Sequence, residues 1–325
     1  MKYRLNKVVL FSLFAICLNG KNINYQSHYI HTLTTPKDDM TLSFAYLLLN
    51  DSVDILDIKE SEFGQNDKYT SIGDLTGYDV RFTYGVSDNL MLSYNNSEQS
   101  IAYGNSNLTN NRNDIFLRYN FFNNSSDILN SGISIDLGYT KNKLFDKYFT
   151  NSNDIEELLK RYKYSNIDVP WVGVVNTSDS SIYSRVLSGF CINNTIVDFF
   201  IGLKSTKIKN YVVSTSTTNN MDLSRDELIY SIGFNITQDF QAYFIELGYE
   251  YDRFSRDEGL DYIDFNHIVD LTLGYNIDKN FMIYTSGKAM YRQFNGQIPY
   301  LYNKYTQTTY DHKYGYATLG IKYSY

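Results

Sequence analysis

Residues 313–325 read K-Y-G-Y-A-T-L-G-I-K-Y-S-Y. Taken every second residue, Ala317, Leu319, Ile321, Tyr323 and Tyr325 share one face, and Tyr316, Thr318, Gly320, Lys322 and Ser324 share the other. This is the period of a β-strand with one apolar, aromatic-tipped side. A soluble domain gains nothing by ending on such a strand, because termini fray. A barrel in lipid must close its last strand on its first, because hydrocarbon cannot satisfy an open sheet edge. The pattern therefore predicts an all-β fold, a transmembrane antiparallel up-and-down barrel, with 313–325 as its closing strand.

Working back from this strand, the same alternation recurs in about twelve segments, ten and fourteen being the neighbouring even counts. They are 41–50, 76–85, 89–99, 112–122, 131–141, 182–192, 195–206, 227–236, 240–252, 263–276, 281–293 and 313–325. In the second, Tyr78, Val80, Phe82 and Tyr84 oppose Asp79, Arg81 and Thr83; in the fourth, Ile115, Leu117, Tyr119 and Phe121 oppose Phe116, Arg118 and Asn120. In the ninth, Tyr243, Ile245, Leu247, Tyr249 and Tyr251 oppose Phe244, Glu246, Gly248 and Glu250. Pro36, Pro170 and Pro299 all fall outside these segments, as a fully paired sheet requires. An apolar–Gly–apolar unit recurs around Gly138, Gly202, Gly233, Gly248, Gly274 and Gly320, always with glycine on the polar face. Glycine there leaves room for larger side chains and eases curvature.

The turns Y-G-V-S-D-N-L (84–90), F-N-I-T-Q-D-F (234–240) and Y-N-I-D-K-N-F (275–281) share one shape. Short connections of this kind alternate with long ones at 51–75, 100–111, 142–181, 207–226, 253–262 and 294–312. Short turns on one side and long loops on the other are the habit of bacterial barrels, and an even strand count puts both termini on the short-turn side. The N-terminus carries Lys2, Arg4 and Lys7 before an apolar run of about eleven residues, which predicts a secretory signal peptide over 1–20. A periplasmic segment over 21–40 and the barrel over 41–325 complete the expected organisation. Losing those three cations takes the formal charge from −7 to −10, and an acidic chain without basic clusters argues against nucleic-acid binding. Thirty-two tyrosines against one tryptophan suit two water–lipid interfaces. Cys191 is the one cysteine expected to remain, so no disulfide framework forms.

On the signal peptide, these turns and the ending Leu319-Gly320-Ile321-Lys322-Tyr323-Ser324-Tyr325, the chain resembles Gram-negative outer-membrane β-barrel proteins, of porin-like type, over its whole mature length. The resemblance implies residence in the outer membrane beside lipid and lipopolysaccharide. It also implies an assembly signal in Leu319, Ile321, Tyr323 and Tyr325 for the barrel-assembly machinery; the class usually ends in Phe where Tyr325 stands.

The residues expected to line the lumen are Asp79, Arg81, Arg118, Asp136, Arg185, Asp198, Lys204, Glu246, Glu250, Asp270, Lys288, Arg292 and Lys322. In lipid each would cost about 2–4 kcal/mol, so a barrel must turn them inward. A charged wall selects solutes by its field; the same residues also fit a salt-bridge network that holds a narrow barrel together. Loop 142–181 is the expected modulator of the mouth. Its N-D-I-E-E-L-L-K-R-Y run predicts a helix capped by Asn153, with Ile155, Leu158, Leu159 and Tyr162 as an apolar stripe and Trp171 nearby. It either folds into the mouth or packs as an outer lid. The first loop, with Asp51, Asp54, Asp57, Glu60, Glu62 and Asp67, reads as a solvated acidic loop rather than a cation site.

No catalytic, cofactor or metal motif emerges. The His and Ser spacing of outer-membrane phospholipases is absent after His267 and His312. Asp264, His267, Asp311 and His312 are scattered, and His267 is expected in the outer aromatic girdle. The expected function is passive diffusion of small-molecule solutes through a channel. The alternatives are a closed barrel whose outer loops bind a surface partner, and, behind these, a hydrolase or a soluble secreted all-β protein.

Overall fold

The computed structural model describes residues 34–50, 75–103, 105–125, 129–161, 170–192, 194–214, 221–240, 242–257, 259–292, 297–303 and 314–325. The signal peptide and the acidic first loop lie outside them. The strands are β1 (Met40–Asn50), β2 (Leu75–Ser87), β3 (Leu90–Tyr103), β4 (Ser106–Ser125), β5 (Leu129–Leu144), β6 (Lys147–Phe149), β7 (Val172–Ile192), β8 (Thr195–Ser214), β9 (Met221–Asp222), β10 (Arg225–Asp239), β11 (Tyr243–Ser255), β12 (Phe265–Asn276), β13 (Phe281–Met290) and β14 (Tyr314–Ser324). Among the described residues one helix, α1 (Ser152–Arg161), and a 3-10 turn, Pro299–Leu301, sit in the connections. No helix among the described residues is long and apolar enough to cross a membrane.

Twelve strands, all but the short β6 and β9, pair antiparallel with their neighbours and close on themselves. The closing seam is β1 against β14, with Leu42 opposite Tyr323, Phe44 opposite Ile321 and Tyr46 opposite Leu319. Met40 and Tyr325 exchange backbone hydrogen bonds of 3.1 and 2.9 Å at its end. The twelve barrel strands thereby close without an open edge, which is the condition for a sheet in hydrocarbon.

Parity sorts the side chains as the sequence predicted. Phe44, Leu117, Leu137, Ile201, Ile232 and Leu319 all point outward and remain exposed, Ile201 by 59%. A belt of this composition on a soluble surface would be a severe aggregation hazard; against acyl chains it is at home. Inward glycines meet aromatic rings from the adjoining strand: Tyr183 lies over Gly138, Phe200 over Gly233, Phe244 over Gly274 and Tyr284 over Gly320. A Cβ at any of these positions would sit inside the ring, so here glycine is required by close approach rather than by conformation.

Three expected loops are shorter than the sequence suggested. The stretch 100–111 is a continuing ladder, with Tyr103 opposite Ser106. β5 runs to Leu144 and β7 already begins at Val172, while β8 continues to Ser214. β7 is 21 residues long and β8 is 20, whereas about 9–11 residues suffice to span a bilayer. These hairpins therefore project beyond the outer rim. Their polar, asparagine-rich composition hid the pairing, since the stabilising contacts are long-range and not periodic. At the opposite rim, Thr34–Asp39 run under the β2–β3 turn: Thr34 Oγ1 donates to the Asp88 carbonyl at 2.6 Å and the Asp38 amide to the Gly85 carbonyl at 2.9 Å.

Candidate functional site

The inward surface divides into a charged wall and a packed outer mouth. On the wall, Arg118 of β4 donates to both oxygens of Asp136 on β5 at 2.6 and 2.8 Å. Their strands place them directly opposite each other, so a fork-to-fork pair forms with little side-chain reorganisation. Arg185 of β7 reaches Glu250 of β11 at 3.4 Å, with its guanidinium 5.1 Å from the ring centroid of Phe200. Asp79 accepts a bond of 2.8 Å from Asn95. Glu246 accepts from Thr237 Oγ1 at 3.1 Å. Asp198 is buried, Arg81 is exposed, and Lys204, Asp270, Lys288 and Lys322 are half-buried. Arg292 follows the end of β13, and its guanidinium stands 4.6 Å from the Tyr291 ring centroid and 5.1 Å from that of Phe265. It belongs to the rim, beyond the strand that was expected to carry it.

The mouth is filled by an element that sequence reasoning missed. Residues 298–303, between β13 and β14, insert among the projecting hairpins, and Tyr300 and Tyr302 are 1% and 0% exposed. They pack in one apolar cluster with Ile101, Leu108, Leu144, Val172, Ile208 and Met290. Hydrogen bonds fix the insertion. Tyr300 Oη donates to Asn110 Oδ1 at 2.8 Å, Asn210 Nδ2 to the Tyr300 carbonyl at 2.7 Å, and Arg225 Nη2 to the Pro299 carbonyl at 2.8 Å. Pro299 presets the backbone for the 3-10 turn, and losing its N–H costs nothing at a turn start.

Beneath Tyr302 lies a buried triad. Glu227 of β10 accepts from Arg256 at 2.6 and 3.3 Å and from Arg225 at 3.3 Å. Two guanidinium groups on one carboxylate leave an excess positive charge in a buried place. The Tyr302 ring faces Arg256 at 4.1 Å and Phe254 faces it at 4.2 Å, and the Ile263 carbonyl accepts from Arg256 at 2.5 Å. Ring faces and carbonyl dipoles are what such a charge needs. Burial pushes the Tyr302 phenol above its ordinary range, so it stays a neutral donor and acceptor.

The described part of loop 142–181 lends Leu144, Phe149, Val172 and Val174 to the mouth cluster around Tyr300 and Tyr302. Its helix α1 forms as expected, but the cap is Asn151, whose Oδ1 accepts from the Asn153 amide at 2.9 Å; Asn153 lies inside the first turn. Ile155 joins the edge of the apolar cluster. Asp154 accepts from the Asn105 amide at 2.9 Å and from Ser106 Oγ at 2.7 Å, tying the helix to the tip of the β3–β4 hairpin. Those two bonds, the backbone one first, hold its carboxyl below the usual range. Trp171 packs edge-on against Tyr148, ring centroids 5.8 Å apart. The described part of the loop therefore packs both on the projecting hairpins and into the mouth cluster, with features of each of the two expected arrangements.

His267 sits in the outer girdle as expected, among Tyr249, Tyr251, Phe265 and Tyr291, with Nδ1 2.8 Å from the Tyr249 hydroxyl. Asp264 instead pairs with Arg253 at 2.7 Å, and Asp311 and His312 lie outside the described residues. No group of three metal-ligating side chains occurs among the described residues.

An apolar belt facing outward, aromatic girdles and a closed twelve-strand ladder leave one physical setting. This is a transmembrane β-barrel. No protein-family model matches the chain and no curated relative does. Solved barrels resemble its shape. The translocator domain of the autotransporter NalP from Neisseria meningitidis is 9% identical at a TM-score of 0.49, with 89% of each chain covered. The KdgM porin in complex with disordered oligogalacturonate is 11% identical at 0.40, covering 88% of this chain and 99% of its own. Outer membrane phospholipase A from Escherichia coli is 14% identical at 0.39, covering 90% and 95%. Likenesses at this level carry no activity to this barrel.

Proposed function

We propose that the protein is a channel for passive diffusion of small polar solutes across the outer membrane, closed at its outer mouth by residues 298–303 in the state described. One observation carries this reading. The Arg185 and Glu250 side chains point into the barrel yet keep 42% and 23% of their surface accessible, while the mouth residues above them are sealed. A wall of charges with space in front of it, under a plug of a few residues, suits conduction better than a solid core does. The residues that set selectivity in this reading are Arg81, Arg185, Glu250, Lys288 and Lys322, and the protein needs no catalytic group or cofactor. The exposed aromatic face of β14 suits recognition by the barrel-assembly machinery.

The test is single-channel recording in planar bilayers. The parent protein is expected to show long closures, and deletion of residues 297–303 to give sustained discrete conductance. A barrel that stays silent after the deletion overturns the channel reading. The second reading, a closed barrel presenting its loops to a surface partner, draws on the hydrogen bonds and buried ions that pin the plug. It predicts that truncating the projecting β7–β8 hairpin abolishes partner binding and leaves permeability unchanged.

A further inference from the structure

Above the lipid belt, the outward wall of β5, β7 and β8 carries two matching rows. Lys141 lies opposite Ser180, which lies opposite Lys207; Lys143 lies opposite Ser178, which lies opposite Lys209. All four lysines are exposed. Strand spacing puts the lysines of a row about 10 Å apart and the rows about 7 Å apart. The row immediately below is Tyr139 and Ile182, outward and 42% and 70% exposed, followed by Leu137 and Leu203. The square therefore stands at the height where hydrocarbon gives way to head groups. Its neighbours are Asn111 and Asn113 of β4 on one side and Asp226 of β10, opposite Lys207, on the other. Asp222, opposite Tyr211 just beyond Lys209, and Asp146, which accepts from the Asn176 amide, stand at its outer edge, so four ammonium groups face three carboxylates and the square keeps a local excess of positive charge on a chain whose formal charge is −7.

We propose that Lys141, Lys143, Lys207 and Lys209 form a binding surface for the phosphate groups of lipopolysaccharide in the outer leaflet. Each ammonium meets a phosphate oxygen as a mobile point charge, and its methylene stem lies along the apolar wall. The Ser178 and Ser180 hydroxyls and the flanking amides supply donors between the charges. A free anion would gain the same charges but nothing from the belt below; a phosphorylated glycolipid gains both, since its acyl chains lie along Ile182, Leu137 and Leu203. The assignment depends on the membrane placement of the barrel and not on whether the lumen conducts.

The test uses the full chain in detergent, titrated with lipopolysaccharide and read by native mass spectrometry. The variant K141Q/K143Q/K207Q/K209Q is expected to bind at least about tenfold more weakly, and the four Lys→Arg changes to retain binding. The parent is expected to lose a similar factor for lipopolysaccharide stripped of its phosphates. Unchanged binding by the glutamine variant, or equal binding of the dephosphorylated glycolipid by the parent, overturns the proposal. If the glutamine variant yields no heat-modifiable barrel, the comparison of the two glycolipids on the parent decides alone. Displacement of lipopolysaccharide by inorganic phosphate at matching concentration would make this a free-anion site and would also refute it.

Discussion

The outer mouth and the wall beneath it are built from the same inward face of the same strands, yet they solve opposite problems. At the mouth, Tyr300, Tyr302 and the Arg225–Glu227–Arg256 triad are sealed and every charge is surrounded. On the wall, Arg81 is exposed, and Arg185 and Glu250 keep accessible surface. Burial turns a charge into a structural commitment, because an unpaired ion inside costs several kcal/mol; accessibility lets the same residue type act on passing solutes. A substitution at the mouth should therefore change stability and opening together, and one at an accessible charge of the wall should change selectivity alone.

The sharpest break in that contrast comes from Glu227→Ala. It strands two buried guanidinium groups and should cost about 3–5 kcal/mol, with the plug released; denaturant unfolding and single-channel open time report the two effects. Tyr302→Ala should cost about 3 kcal/mol or somewhat more, through lost packing and the lost ring face over Arg256. If it destabilises without raising open probability, the plug is not a gate. Gly320→Ala presses on Tyr284 within the wall and should cost about 1–3 kcal/mol from overpacking, read as a lower unfolding midpoint with the mouth still shut. Tyr300→Phe removes only the bond to Asn110 and should cost about 1 kcal/mol.

Arg81→Gln belongs at the small end for stability, within about 0.5 kcal/mol of the parent. It should shift reversal potentials toward cations if the wall selects by charge. The smallest effect concerns pH at the lid. The Asp154 carboxyl is held below its ordinary value, so its contribution is fully present above the usual carboxylate range and is lost as pH falls through the lower folded value. Hydrogen exchange at Asn105 should show protection at neutral pH that Asp154→Ala removes, and acidification should abolish the difference between the two proteins.

Much of the barrel was legible in the sequence because the side-chain period of a strand is fixed. Leu319, Ile321 and Tyr323 had to face lipid once Lys322 faced inward, and a register slip of one residue would have exposed every charge. The glycine parity was readable for the same reason, and its cause, an aromatic ring seated on Gly138, Gly233, Gly274 or Gly320, came from the neighbouring strand. The projecting part of the β3–β4 hairpin was not readable. Its run S-N-L-T-N-N-R-N resembles a loop because its pairing depends on partners across the hairpin and not on local alternation.

The sequence by itself determined the closed barrel, the two faces of its strands and the girdle position of His267. Each follows from a local period and from the cost of charge in hydrocarbon. Only the tertiary structure decided which connection closes the mouth. Loop 142–181, with its visible helix, had the stronger local signal, while the closing segment around Tyr300 and Tyr302 had none. Its place is set by Asn110, Asn210 and Arg225, from three strands far away in sequence, and by a buried positive charge that needed a ring face. Such contacts are long-range, since β4, β8 and β10 meet the segment before β14 only across the mouth of the folded barrel.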